Sequence, residues 1–249
     1  MRQIIMQKLD SLQKDHRVKI LYACESGSRA WGFASPDSDF DVRFIYVNRS
    51  DEYLSINEHR DVIELPINEV LDINGWDIRK ALRLFRKSNA PLYEWLQSPV
   101  VYMADQQFVN DMQYNMPRYF SARSMMHHYI GMAKTAYDTI LAGDEVRIKK
   151  YFYALRPLLA CRWIADRSEV PPMEFAALRV FLPNDLQGIV DELLEIKARG
   201  DEKYTINRIV VLHEYIREQL DRCLRDVPEI RNVADDIAPL NKLFRKYIV

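Results

Sequence analysis

The chain has 249 residues, 48% apolar and 29% charged, which is ordinary for a globular protein with one large or two modest domains. Its 35 Lys and Arg balance 36 Asp and Glu to a formal net charge of −1, so any surface for nucleic acid has to be local rather than spread over the molecule. Seven glycines, no repeat and no low-complexity run exclude fibrous and solenoid classes.

The first residues lack the long apolar core of a signal peptide, and no stretch reaches the length of a membrane span. Cys24, Cys161 and Cys223 are far apart and show no metal-ligand spacing. The expectation is a cytoplasmic protein with reduced thiols and no membrane partner.

Residues 2–15 predict an amphipathic helix with Ile5, Leu9 and Leu12 on one face. Residues 18–24 predict a strand rich in β-branched and aromatic side chains, ended by the tight turn Gly27-Ser28. A short helix and the turn residues Ser35-Pro36-Asp37-Ser38 lead to a second strand over 40–47. At its entry stand Asp39 and Asp41. Residues at i and i+2 of a strand share a face, so these carboxylates project side by side while Phe40 and Val42 turn to a core. Adjacent carboxylates repel unless a positive charge sits between them, and their oxygens are the usual ligands of Mg²⁺ beside a substrate's phosphates. Gly27 lets backbone approach a phosphate closely, and the Ser28 hydroxyl and turn amides offer donors to it. An Asp-x-Asp alone is often a solvated turn and a Gly-Ser alone says little. The two together, in this order between two apolar strands, point to metal and phosphate. Asp37 is assigned to the turn.

Downstream, residues 61–67 predict a strand whose Pro66 pushes it to an edge. Residues 70–73 predict a short strand ended by Asn74-Gly75, with a hairpin around Asn68-Glu69 between the two. Residues 78–87 predict an amphipathic helix with Ile78, Ala81, Leu82 and Phe85 buried. Its other side carries Arg79, Lys80, Arg83, Arg86 and Lys87, either a solvated face or a basic rim for triphosphate or an RNA backbone. Asn115-Met116-Pro117 marks a domain boundary, giving an α+β domain over 1–115 and a helical domain over 116–249. In the second, helices are expected over 127–142, 146–166, 185–198, 205–224 and 235–247. Lys150, Tyr153 and Arg156 are either site-facing groups or packing residues.

The strings Gly27-Ser28-Arg29-Ala30-Trp31-Gly32 and Ser38-Asp39-Phe40-Asp41-Val42-Arg43 resemble the signature of the polymerase-beta-like nucleotidyltransferase superfamily. Within it they look like the RNA-repair-pathway polymerase-beta family. Asp72-Ile73-Asn74-Gly75-Trp76-Asp77 and Glu94-Trp95-Leu96 fit the same branch. The resemblance implies a small palm-like mixed sheet followed by a helical bundle that serves substrate or acceptor. It implies transfer of a nucleoside monophosphate from a nucleoside triphosphate with two Mg²⁺ or Mn²⁺ ions. Asp39 and Asp41 would be metal ligands. A third carboxylate is expected on a later strand: Asp72 first, then Asp77 or Glu64, with Asp61 less fitting. Gly27, Ser28, Arg29 and Lys80 would bind nucleotide, Lys80 and Arg79 being taken as the basic residues nearest the site. The acceptor implied by the branch is an RNA 3′ end. Transfer to a protein side chain or small molecule, or a relict nucleotide-binding site, are the alternatives.

Overall fold

The computed structural model describes residues 1–57, 59–66, 70–140, 143–200, 203–228 and 236–248. It divides into two compact units. One comprises Met1–Gly27, Asp39–Tyr119 and Asn232–Val249; the other comprises Ser28–Ser38 and Phe120–Arg231. The chain passes from the first unit to the second after Tyr119, and each unit draws in a distant piece of chain. The expected break at Pro117 does not occur: a helix runs through it to Tyr119.

The elements in order are α1 (Arg2–His16), β1 (Lys19–Ser26), α2 (Gly27–Trp31), β2 (Phe40–Val47) and α3 (Ser50–Tyr53). Next come β3 (Val62–Glu64), β4 (Leu71–Asp77), α4 (Ile78–Arg86), α5 (Ala90–Trp95), β5 (Val101–Ala104) and α6 (Gln106–Tyr119). The remainder is α7 (Ala122–Ile140), β6 (Glu145–Arg147), α8 (Ile148–Arg167), α9 (Phe175–Leu178), α10 (Asn184–Arg199), β7 (Thr205–Asn207), α11 (Val210–Asp226) and α12 (Ala238–Tyr247). The fold is α+β with helices dominating the C-terminal half, as expected.

In the first unit the sheet has five strands in the order β3-β4-β2-β1-β5. β2 and β4 run parallel and the other pairs antiparallel. One face is covered by α1, whose Ile5, Leu9 and Leu12 pack with Val42, Phe44, Tyr46 and Ile73. On the other face the Tyr22 hydroxyl donates to the Trp95 carbonyl at 2.6 Å, and the Trp76 and Trp95 rings lie 4.0 Å apart. The helix α4 buries Ile78, Ala81, Leu82 and Phe85, the predicted stripe.

β4 departs from expectation. It runs on through Asn74-Gly75 instead of ending there. Gly75 faces Phe44 across the parallel pair, and a Cβ on it would come within 2.1 Å of the Phe44 ring. This glycine makes room for an aromatic ring rather than a turn. β3 is an edge strand, in keeping with the neighbouring Pro66. The expected hairpin turn at Asn68-Glu69 lies outside the described residues.

In the second unit, α7, α8 and α11 pack together. The Ser28–Ser38 segment belongs here because its aromatic side chains do. Phe33 stacks on Phe152 at 5.1 Å and meets Phe175 edge-on, while Trp31 meets Tyr153 edge-on. The helix expected over 205–224 begins later, at Val210, because residues 205–207 pair with β6 as a strand.

Candidate active site

Parallel pairing of β2 and β4 sets Asp41 opposite Asp72. Directly paired residues share a face, so the two carboxylates lie side by side on the face away from α1. Arg43, two residues beyond Asp41, shares that face too. Its Nη2 donates to Asp41 Oδ1 at 3.0 Å and to Asp72 Oδ2 at 2.7 Å. The Asp41, Asp72 and Arg43 side chains are 30%, 28% and 18% exposed, so the pair is partly screened from water and its repulsion is offset by a fixed cation. The same i, i+2 rule that grouped Asp39 with Asp41 reaches Arg43, but only the register with Asp72 gives Arg43 its bridging role.

Gly27 follows the last residue of β1, Ser26, which pairs with Asp41. Its φ is +61°, a conformation that favours glycine. A Cβ there would lie 2.1 Å from Asp41 Oδ2. Backbone conformation and the proximity of the carboxylate therefore both demand glycine. Behind this junction lies a buried acid that sequence reasoning missed. Glu25, 1% exposed, accepts from the Asp41 amide at 2.8 Å and from the Tyr102 hydroxyl, while its own carbonyl accepts from Ser98 Oγ at 2.7 Å. A buried carboxylate among donors fixes the start of β2. Sequence shows Glu25 as one polar residue inside an apolar strand, the signal that could have found it. Next to it, Cys24 is buried, and burial pushes its thiol up to about 12, so it stays protonated and is no nucleophile.

Asp39 precedes β2 and is exposed. Ser28 and Arg29 follow Gly27 in the chain but belong to the helical unit. The Arg29 guanidinium donates to the Ser38 carbonyl at 2.6 and 3.1 Å and so holds the 35–38 turn. Of the other acids, Asp77 is 4% exposed and caps α4, accepting from the Arg79 amide at 2.7 Å. It also accepts from the Tyr53 hydroxyl at 2.6 Å and from Asn48 Nδ2 at 2.9 Å. Glu64 accepts from Asn74 Nδ2 at 2.7 Å on the edge strand.

The structure does not bring Lys80 to the acids. Lys80 pairs with Asp61 at 3.0 Å, and its helix starts beyond Asp77, about 16 Å along β4 from Asp72. Arg79 stands at that same far end. In the helical unit, Arg156 is 1% exposed, with its guanidinium 4.5 Å from the Trp31 ring centroid and donating to the Met173 carbonyl. Arg156 and Tyr153 are packing groups there.

Asp39, Asp41 and Asp72 offer only hard carboxylate oxygens, the donor chemistry of Mg²⁺ and Mn²⁺. Among the described residues no three acids, His or Cys are gathered closely enough to hold an ion. Arg43 lies across Asp41 and Asp72. The donor set fits a divalent ion in kind, on the condition that Arg43 gives up at least one carboxylate.

The family resemblance is borne out over nearly the whole chain. The family model described as "RNA repair pathway DNA polymerase beta family" matches residues 1–246. An uncharacterized protein of Bacillus subtilis, YcgL, is 44% identical over 246 residues, covering 98% of this chain and 95% of its own length. A crystal structure of a nucleotidyltransferase-like protein from Exiguobacterium sibiricum aligns with 97% of this chain and 79% of its own, at 10% identity and a TM-score of 0.32, a likeness too remote to add to the family match. No helix among the described residues is long and apolar enough to cross a membrane. The chain belongs to the RNA repair pathway DNA polymerase beta family, within the polymerase-beta-like nucleotidyltransferases.

Proposed function

We propose that this protein transfers a nucleoside monophosphate from a nucleoside triphosphate to the 3′ hydroxyl of an RNA. The observation that carries the reading is the crowding of Asp41 against Gly27 on one side and its register with Asp72 on the other. A backbone that must be glycine beside a paired acid is what a phosphate-handling turn needs.

In the reaction the acceptor oxygen bonds to the α-phosphorus, the bond from that phosphorus to the bridging oxygen breaks, and pyrophosphate leaves. Asp39, Asp41 and Asp72 would hold the divalent ions, which when bound stabilise charge on the attacking and leaving oxygens. Gly27 puts no side chain in the way of the substrate phosphates. Asp72 is assigned to the acceptor side, where the hydroxyl gives up its proton. Arg43 keeps Asp41 and Asp72 in place before substrate arrives. Glu25 holds the Asp41 amide and thereby the strand end from which Asp41 projects.

The test is incubation with Mg²⁺, each α-labelled nucleoside triphosphate in turn, and short RNAs, cell-extract protein or small metabolites as acceptors. The Asp39→Asn/Asp41→Asn double variant is the control. Label on RNA that the variant does not add supports the reading. Label only on protein or metabolites moves the acceptor to those classes. Nucleotide binding with no label on any acceptor contradicts transfer.

A further inference from the structure

The balanced charge of this chain hides a local excess on the sheet unit. Helix α4 and its C-cap carry Arg79, Lys80, Arg83, Arg86 and Lys87 with no acid among them. Helix α12, from the far C-terminal part of the sequence, packs against α4 and adds Lys242, Arg245 and Lys246, again with no acid. Lys80 pairs with Asp61 and Lys246 with Asp111. Among the described residues Arg83, Lys87, Lys242 and Arg245 form no ion pair.

Between the helices runs a groove of about 510 Å³. Arg79, Leu82, Arg83 and Arg86, at helical spacing, line one wall, and Ile237, Leu240, Asn241 and Phe244 the other. Leu82 and Leu240 are buried. At one end the Arg79 guanidinium lies 5.0 Å from the Tyr53 ring centroid and 5.1 Å from that of Phe244, and the two rings meet edge-on. Lys87 also lines the groove, while Lys242 and Arg245 are exposed on α12 outside its lining. The groove therefore combines an apolar floor with aromatic and guanidinium faces, and exposed cations of both helices flank it.

We propose that this groove docks single-stranded RNA, with the unpaired cations on phosphates and a base against the apolar and aromatic wall. An unpaired base has a free face to stack, whereas a base in a duplex does not. Excess cations in an otherwise balanced chain match a polyanion. A concave seat with an aromatic end suits a base better than a layer of lipid headgroups, which asks for a flat face. The inference rests on the proposed function in taking RNA as the acceptor. It adds a second binding surface on the sheet unit, whose lining includes none of the three acids, and which would hold RNA away from its reacting end.

The experiment measures binding of a fluorescently labelled unstructured RNA of 20 nucleotides, without nucleoside triphosphate, from 50 to 300 mM salt. Wild type is compared with Arg83→Ala/Lys87→Ala/Lys242→Ala/Arg245→Ala. A control of equal charge, Lys14→Ala/Lys134→Ala/Arg217→Ala/Arg225→Ala, removes exposed cations from other helices. The expected result is at least a tenfold loss of affinity in the groove variant alone. The slope of log affinity against log salt should fall by about 3, at ~0.7 for each phosphate no longer neutralised. Equal loss in both variants, or none in either, overturns the proposal, as does groove-dependent binding to phosphatidylserine vesicles with no binding to RNA. Because no triphosphate is present, the result stands apart from transfer. Label added to RNA by a groove variant of unchanged RNA affinity would sink the groove and leave the proposed function in place. Groove-dependent RNA binding by a protein that labels nothing would do the reverse.

Discussion

The two ends of the β2–β4 pair carry the same residue type in opposite circumstances. Asp72, near the start of β4, is half-buried, lies opposite another acid, and is held by one arginine that serves both. Asp77, at the end of the strand, is buried and accepts from an amide, a hydroxyl and a carboxamide. A carboxylate with its oxygens so engaged is fixed in place and has little left for a substrate. One that shares a single guanidinium with a neighbour can exchange that partner for another cation. Chemistry is therefore expected at the Asp72 end and stability at the Asp77 end.

The largest effect that would break this contrast concerns Asp41. Asp41→Asn should lower the rate of label transfer by more than about a hundredfold, beyond what losing a mere supporting partner costs, with the thermal midpoint little changed. A variant keeping wild-type rate would remove the acid end from the mechanism. Gly27→Ala should act on both axes. The added Cβ meets Asp41 Oδ2, and the left-handed backbone is costly for alanine, so stability should fall by about 1–2 kcal/mol in urea titration and transfer should fall with it. At the other end, Asp77→Ala removes a helix cap and leaves buried donors without their acceptor. It should cost about 2–3 kcal/mol of stability while the folded variant keeps its rate. The smallest effect is expected for Lys80→Ala. It breaks one partly exposed ion pair, about 0–1 kcal/mol, and should leave transfer within twofold. A tenfold loss there would pull the phosphate site toward α4.

Features set by neighbours in sequence were legible from the sequence. The stripe of α4, the limits of β2 and the need for glycine before Ser28 all follow from local period and turn chemistry. What escaped depends on pairings between distant stretches. Asn74-Gly75 has the composition of a turn, and only the Phe44 ring, arriving from another strand, makes it strand interior. Arg43 was visible beside the acids, yet its bridge to Asp72 exists only in the parallel register. The return of α12 to the sheet unit, and the burial of Trp31 and Phe33 among the helices, are long-range packing choices that no local period encodes.

The most direct measurement compares Asp72→Asn with Asp77→Asn in the RNA labelling reaction, at a temperature where circular dichroism shows both folded. The expected result is a sharp loss of transfer in Asp72→Asn and near wild-type transfer in Asp77→Asn. Transfer that survives in Asp72→Asn and vanishes in folded Asp77→Asn would place the chemistry at the other end of the strand pair and contradict the account.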